Sequence, residues 1–487
     1  MAIEQREALG PVRENQLSVE QRGLAPVPES ERYGRTFRIF TMWLSPQFTP
    51  SAMFIGVIAA SLGLGYWEGL PAIIIGNIIG GLVVAYLCTW GPRTGMGQMP
   101  LSRAAFGKSN VLPGVVNWAA TIGWVAFNNV FGATALKLLL HTPYWLGLLL
   151  IFAGEAAISI LGHEVIHVFE KWMSWVLGVV FVVITIRVIT SGGTVSLHAT
   201  VHGADAVGLF FLMLVIAGSD GYAWAPYAAD YSRYFPARVS RRKIFWYTFA
   251  GVAGGLTWMM LLGLSVAQRV ASAGTLGTAS AIRDLVGGGF LGVVAMLAIY
   301  LATVAADIVN DYTGSLSLQA AGITVRRPVI AAVNGIAAFA FSAWFLYARG
   351  ALYNKVENLL LFFTYWISAW LGVVIVDWIR RKGRVNTAEL QNFAGLRWSA
   401  AALIAFIVGF ICSIPFSNTT AGYDFVTSHP GFKDFVGYFS FGPLHQADLG
   451  FIVAFVVSAL LYGVLQRKPA TSIPAEQERE ATSQVAS

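Results

Sequence analysis

The chain has 487 residues, 56% of them hydrophobic and only 12% charged, with a mean hydropathy of +0.63. A soluble domain carries about 25% charged residues, so the composition excludes a soluble fold and points to an all-α integral membrane protein. The formal charge of +7 is spread over loops and tails, which argues against a nucleic-acid partner. Cys88 and Cys412 both lie in apolar stretches, which argues against a disulfide framework or a metal centre.

Residues 1–38 are polar, contain no apolar core and read as a cytosolic tail. Windows of about 20 apolar residues then fall near 39–65, 69–90, 112–139, 144–162, 170–190, 205–232, 244–268, 289–318, 328–347, 355–379, 398–417 and 446–466. Twelve transmembrane helices are predicted, followed by a second polar tail over 467–487. With the N-terminus inside, 25 of the 32 Lys and Arg residues fall in the inner segments and tails and 7 on the outer side. That bias places both termini in the cytosol and the protein in the cell membrane as a multi-pass chain.

Span 1 is interrupted by Ser45-Pro46-Gln47-Phe48-Thr49-Pro50-Ser51, two prolines and several polar side chains at membrane depth. Span 6 reads Gly218-Ser219-Asp220-Gly221-Tyr222-Ala223-Trp224-Ala225-Pro226 at its midplane. Backbone freed by proline or glycine is costly in hydrocarbon and is tolerated only when buried in protein or lining a wet cavity. Two interrupted helices five spans apart run in opposite directions, the mark of a five-plus-five inverted repeat with broken helices 1 and 6. The repeats cover 39–190 and 205–379, which together form the transport core (39–379), and the two additional helices occupy 398–466. In span 3, Asn117, Thr121, Trp124 and Asn128 share one helical face; in span 8, Thr303, Asp307, Asn310 and Asp311 do the same. Spans 3 and 8 are partners under the same offset, so two broken and two striped helices are expected around one cavity.

Several stretches together resemble the nucleobase–cation symporter-1 family, in its purine–cytosine permease branch. They are Gly91-Pro-Arg-Thr-Gly-Met-Gly-Gln-Met-Pro-Leu-Ser-Arg-Ala-Ala-Phe-Gly107, Gly123-Trp124 with Asn128, Tyr227-Ala-Ala-Asp230-Tyr-Ser-Arg, and Leu316-Ser-Leu-Gln319. The resemblance covers roughly residues 30–465 and implies a LeuT-like fold. It also implies uptake of a nucleobase or related heterocycle with H⁺ or Na⁺. Span 8 departs from the fungal members, reading Ala306-Asp307-Ile308-Val309-Asn310 where they tend to show Asn-Asn-Ile-Pro-Asn.

Asp220, an acid at mid-span, is expected either to accept hydrogen bonds from a ring N–H and an exocyclic amine or to serve as a structural carboxylate. Trp124 reads as packing from its spacing, and as the stacking aromatic from the resemblance. Tyr222 or Trp224 is expected opposite it, Trp224 being the better candidate for packing. The resemblance places a substrate amide at Asn128, whose plainer role is an interhelical bond. Gln47, Ser51, Gly218 and Ser219 complete the substrate-binding candidates. Asp307, Thr303 and Asn310 are the coupling candidates, Asp307 for a proton and Thr303 with span 1 carbonyls for sodium. Glu155 in span 4 has no assigned partner, His163 or a neighbouring helix being open to it. No cofactor beyond the co-transported cation is expected, and the protein is expected to be a monomer. An enzyme would need clustered metal ligands or a nucleophile with its base, which the chain does not offer. Transport is therefore expected, as proton symport of a nucleobase by alternating access, with a sodium-coupled symporter of a related heterocycle as the alternative.

Overall fold

The computed structural model describes residues 23–159, 163–190, 196–267, 278–323, 325, 327–466 and 470–472. Within them the secondary structure is helical, with no strand and a single bridge between Gly107 and Trp398. Among the described residues six helices are long and apolar enough to cross a membrane, from Tyr66–Thr94 to Leu352–Arg380. Shorter apolar helices and Ala400–Phe416 fill the remaining predicted positions, while Thr420–Ser428, bent 76° from the latter, lies outside them.

Span 1 is broken where its prolines require. Phe37–Leu44 ends in a tight turn over Ser45–Gln47, and Thr49 takes an extended conformation before Pro50–Ser61 resumes the helix. Thr49 caps the second half, its Oγ1 accepting from the Ala52 N–H at 3.2 Å, and Pro50 sits at the first helical position, where no donor is lost.

Span 6 narrows the expected break to its proline end. The helix Gly203–Ala223 runs unbroken through Gly218, Ser219, Asp220 and Gly221. The interruption comes later, as one tight turn over Ala225–Tyr227 ahead of Ala228–Ser232. Proline forces that turn, whereas the glycines serve close packing. A Cβ on Gly76 of span 2 (Tyr66–Cys88) would lie 2.3 Å from the Leu214 carbonyl oxygen and 2.8 Å from the Gly218 nitrogen. One on Gly80 would lie 2.8 Å from the Gly218 oxygen. The two helices touch backbone to backbone along these residues.

The helices gather into two blocks. In the first, spans 2 and 6 and span 7 (Arg241–Ala267) pack on one another and around span 1. In the second, span 3 (Val111–Leu140) lies along span 8 (Gly289–Ala320), with span 4 (Tyr144–Ser159) and span 9 (Arg327–Tyr347) against both. Span 10 (Leu352–Arg380) leans on spans 6 and 12 (Gly450–Leu465), and span 11 (Ala400–Ser413) packs outside it.

The short helix Gln98–Phe106 fastens the loop end that carries most of the basic residues, here called the basic end. The Arg103 guanidinium donates to the carbonyls of Ala320 (2.9 Å), Leu390 (2.7 Å) and Gln319 (2.6 Å). Burial pushes its pKa down to about 10, so it stays cationic at neutral pH.

Candidate functional site

The break in span 1 presents its polar residues to spans 3 and 8. Ser51 Oγ lies 2.6 Å from Asn128 Oδ1 and 2.8 Å from Thr49 Oγ1. Asn128 Nδ2 in turn donates to Asp307 Oδ1 at 2.9 Å. Ser51, Asn128 and Asp307 thus form one hydrogen-bonded chain across three helices, all at 5% exposure or less. The second Asp307 oxygen is buried with no partner among the described residues.

The polar stripe of span 3 is largely a seam with span 8. Asn117 donates to Ser317 Oγ at 2.8 Å, and Thr121 is packed against Gly314. Trp124 points elsewhere: its ring meets Phe363 of span 10 at 5.6 Å and Phe127 at 6.1 Å.

The span 6 candidates divide between two faces. Residues 218 and 220 are about 200° apart around a helix, and 218 and 222 only about 40° apart. Gly218, Ser219 and Tyr222 line a crevice with Gly76, Ile79, Thr364 and Phe451. Tyr222 meets Phe451 edge-on at 6.4 Å. Ser219 Oγ donates to the Ile216 carbonyl at 2.6 Å. Asp220 is turned the other way, is 5% exposed, and has no hydrogen-bond partner among the described residues. A buried acid with both oxygens uncommitted is open to donors from a bound solute. Trp224 lies in an aromatic cluster, edge-on to Trp43 at 5.8 Å and to Tyr227 at 5.2 Å.

The other candidates have protein partners. Gln47 Nε2 donates to the Trp43 carbonyl at 3.0 Å, and its stem lies against Gly255 of span 7. Thr303 Oγ1 donates to the Ile299 carbonyl at 3.0 Å and packs against Gly132 of span 3. Asn310 Oδ1 accepts from the Tyr227 hydroxyl at 2.7 Å, a link between spans 6 and 8 that helical spacing within one span does not reveal. Asp230 accepts from the Gln98 N–H and from Thr313 Oγ1, each at 2.7 Å. Glu155 is buried on span 4, which packs against span 8, and its Oε1 has no hydrogen-bond partner among the described residues. His163, considered as a partner for it, has a side chain outside the described residues.

The family model described as a permease for cytosine/purines, uracil, thiamine and allantoin matches residues 26–437. The purine-cytosine permease fcyB of Emericella nidulans is 28% identical over 481 residues, covering 92% of this chain and 88% of its own. Among solved structures, Mhp1, a nucleobase-cation-symport-1 family transporter, matches in a closed conformation with bromovinylhydantoin bound, at a TM-score of 0.70 over 91% of this chain and 94% of Mhp1. Its inward-facing conformation matches at 0.72 over 95% and 98% of the two chains. Identity to both is 16%, so the likeness establishes the LeuT-like fold alone. The family comprises multi-pass membrane permeases rather than enzymes. On the match to most of its length, the chain belongs to the nucleobase–cation symporter-1 family, in the purine–cytosine permease branch.

Proposed function

We propose that the protein is a secondary active transporter that imports a nucleobase, cytosine or a purine, by proton symport through alternating access. The observation that carries this reading is the Ser51–Asn128–Asp307 chain, which ties the span 1 break to an acid with one uncommitted oxygen. Asp220 and the Trp124 ring supply the acceptor and the π-face that a planar base with ring and exocyclic donors needs. The relatives' names support the substrate class. The basic end faces the cytosol, both termini lie there, and the protein acts as a monomer in the cell membrane.

Proton coupling is supported over sodium by the span 8 side chains. Asp307 offers a protonatable group beside the break, while the Thr303 hydroxyl is turned to span 3 and bonded within its own helix. The test is uptake of labelled cytosine and adenine into vesicles under a proton or a sodium gradient, with a competition panel of bases and related rings. Accumulation driven by the proton gradient and blocked best by nucleobases is expected. Asp220→Asn should abolish binding, because the amide replaces one acceptor oxygen by an N–H donor that would face a donor of the base. Sodium-driven accumulation, or allantoin outcompeting every base, overturns this reading in favour of a sodium-coupled carrier of a related heterocycle.

A further inference from the structure

Span 10 passes between Trp124 of span 3 and the connection that joins spans 11 and 12. Three consecutive residues in its middle face three neighbours, because each step turns a helix by about 100°. Phe363 meets the Trp124 ring, at 5.6 Å between centroids and 35° between planes. Thr364 lines the span 6 crevice beside Ser219 and Tyr222. Tyr365 turns to the start of span 12, where its hydroxyl donates to Asp448 Oδ2.

Each aromatic side chain sits in a notch that glycine leaves open. A Cβ on Gly123 of span 3 would lie 2.9 Å from the Phe363 ring, and one on Gly450 of span 12 would lie 2.7 Å from the Tyr365 ring. Asp448 is fully buried, and both of its oxygens are used. Oδ2 also accepts from the Asn418 N–H at 2.7 Å, and Oδ1 accepts from the Gly450 N–H at 2.9 Å. Asn418 Nδ2 in turn donates to the Gln446 carbonyl, so the two ends of the connection are drawn together around the Asp448 carboxyl group. The same connection grips span 10 again about two turns away. There Thr420 Oγ1 donates to Glu357 Oε2 at 3.0 Å, and the Ala421 N–H donates to Asn358 Oδ1 at 2.9 Å. Two grips at different heights fix both the position and the rotation of the helix.

The grip matters on the opposite face. Two rings admit a third plate between them only when about 7 Å apart, twice a carbon contact of about 3.5 Å. At 5.6 Å no base enters between Trp124 and Phe363, so Phe363 covers part of the Trp124 surface. How far it can withdraw is set by the rotation of span 10. A two-ring base needs more of the Trp124 surface than a one-ring base does.

We propose that Tyr365 and Asp448 are positioning residues for substrate selection: they lock the rotation of span 10, hold Phe363 over the Trp124 ring, and so restrain two-ring bases more than one-ring bases. This rests on reading Trp124 as a face of the base site. Neither residue touches the base. Their bond is felt there because a rotation of span 10 that carries Phe363 off Trp124 also carries the Tyr365 hydroxyl off Asp448.

The test uses purified full-length protein in liposomes, labelled cytosine and competing adenine. Tyr365→Phe removes the hydroxyl and keeps the ring in its notch, while Asp448 Oδ2 retains the Asn418 N–H. The expected result is an adenine-to-cytosine affinity ratio raised by roughly 2–10-fold, the range for one such bond. Phe363→Leu should raise the ratio in the same direction. Tyr365→Phe added to Phe363→Leu should change it no further, since the tie acts through the phenyl ring. Both affinities falling together, an unchanged ratio, or the same shift repeated in the Phe363→Leu background overturns the tie. Wild-type protein that binds neither base, or Trp124→Ala that leaves both affinities unchanged, overturns the reading of the base site and this proposal with it.

Discussion

Asn128 has one carbonyl lone pair committed to Ser51 and one amide hydrogen to Asp307, which leaves one N–H and one lone pair for any solute. Its role is therefore double: it holds spans 1, 3 and 8 in register and keeps one donor and one acceptor position for the cavity. Asn128→Ala leaves Ser51 with Thr49 alone and strands Asp307 Oδ1 in a buried site, at a cost of about 1–3 kcal/mol. The expected result is a lower unfolding temperature together with a changed ranking of purines and pyrimidines in competition. A lower unfolding temperature with the ranking unchanged would make Asn128 an interhelical tie only. Spacing in the sequence identified the residue, and it brought Asp307 into view on the partner helix. What spacing does not give is which neighbour a side chain chooses. Asn117 spends its amide on Ser317, whereas Trp124, on the same stripe, turns to Phe363.

At the scale of the helix, span 6 shows how glycine and proline differ in meaning. Both interrupt a sequence pattern, yet only Pro226 interrupts the helix; Gly218 and Gly221 let span 2 approach its backbone. Gly76→Ala tests this close contact. Its new Cβ would meet Leu214 O at 2.3 Å, and overpacking of this kind costs about 1–3 kcal/mol. Gly254→Ala on span 7, with nothing within 4 Å of the added carbon, should be neutral or slightly stabilising. Thermal unfolding of the two variants in detergent should separate them, and equal unfolding temperatures would mean that spans 2 and 6 part easily. The span 1 break was legible because two prolines bracket it, each imposing a backbone constraint that no neighbour relieves. The glycine contact was not legible, because it depends on the facing helix. Glu155 was conspicuous as an acid in an apolar span, but that it is buried where span 4 packs on span 8 depends on another helix.

The whole molecule consists of two helix blocks that meet at the span 1 break and at the basic end. Inside each block the helices pack along their length, with polar ties such as Asn117 to Ser317, and polar bonds also join the two blocks. At the basic end they run from the end of span 6 to span 8: Tyr227 to Asn310 at 2.7 Å, Asp230 with Thr313 at 2.7 Å, and Arg233 to Tyr312 at 2.9 Å. An interface of this kind is suited to switching, because each bond exchanges for one with water when the blocks separate, and its net worth is about 0.5–1.5 kcal/mol. Tyr227→Phe removes one such bond and leaves its ring packing against Trp224 in place. If these bonds hold the basic end closed, the change shifts the population toward the arrangement open at that end by roughly 2–10-fold. A cysteine placed at Ser317, fully buried beside span 3 on this side of the seam, would report the shift through its rate of labelling by a membrane-impermeant thiol reagent. Faster labelling in Tyr227→Phe, reversed by saturating substrate that favours closure, is the expected result. Equal rates with and without the tyrosine hydroxyl would mean that the closed end is held by Arg103 and the loop around it instead.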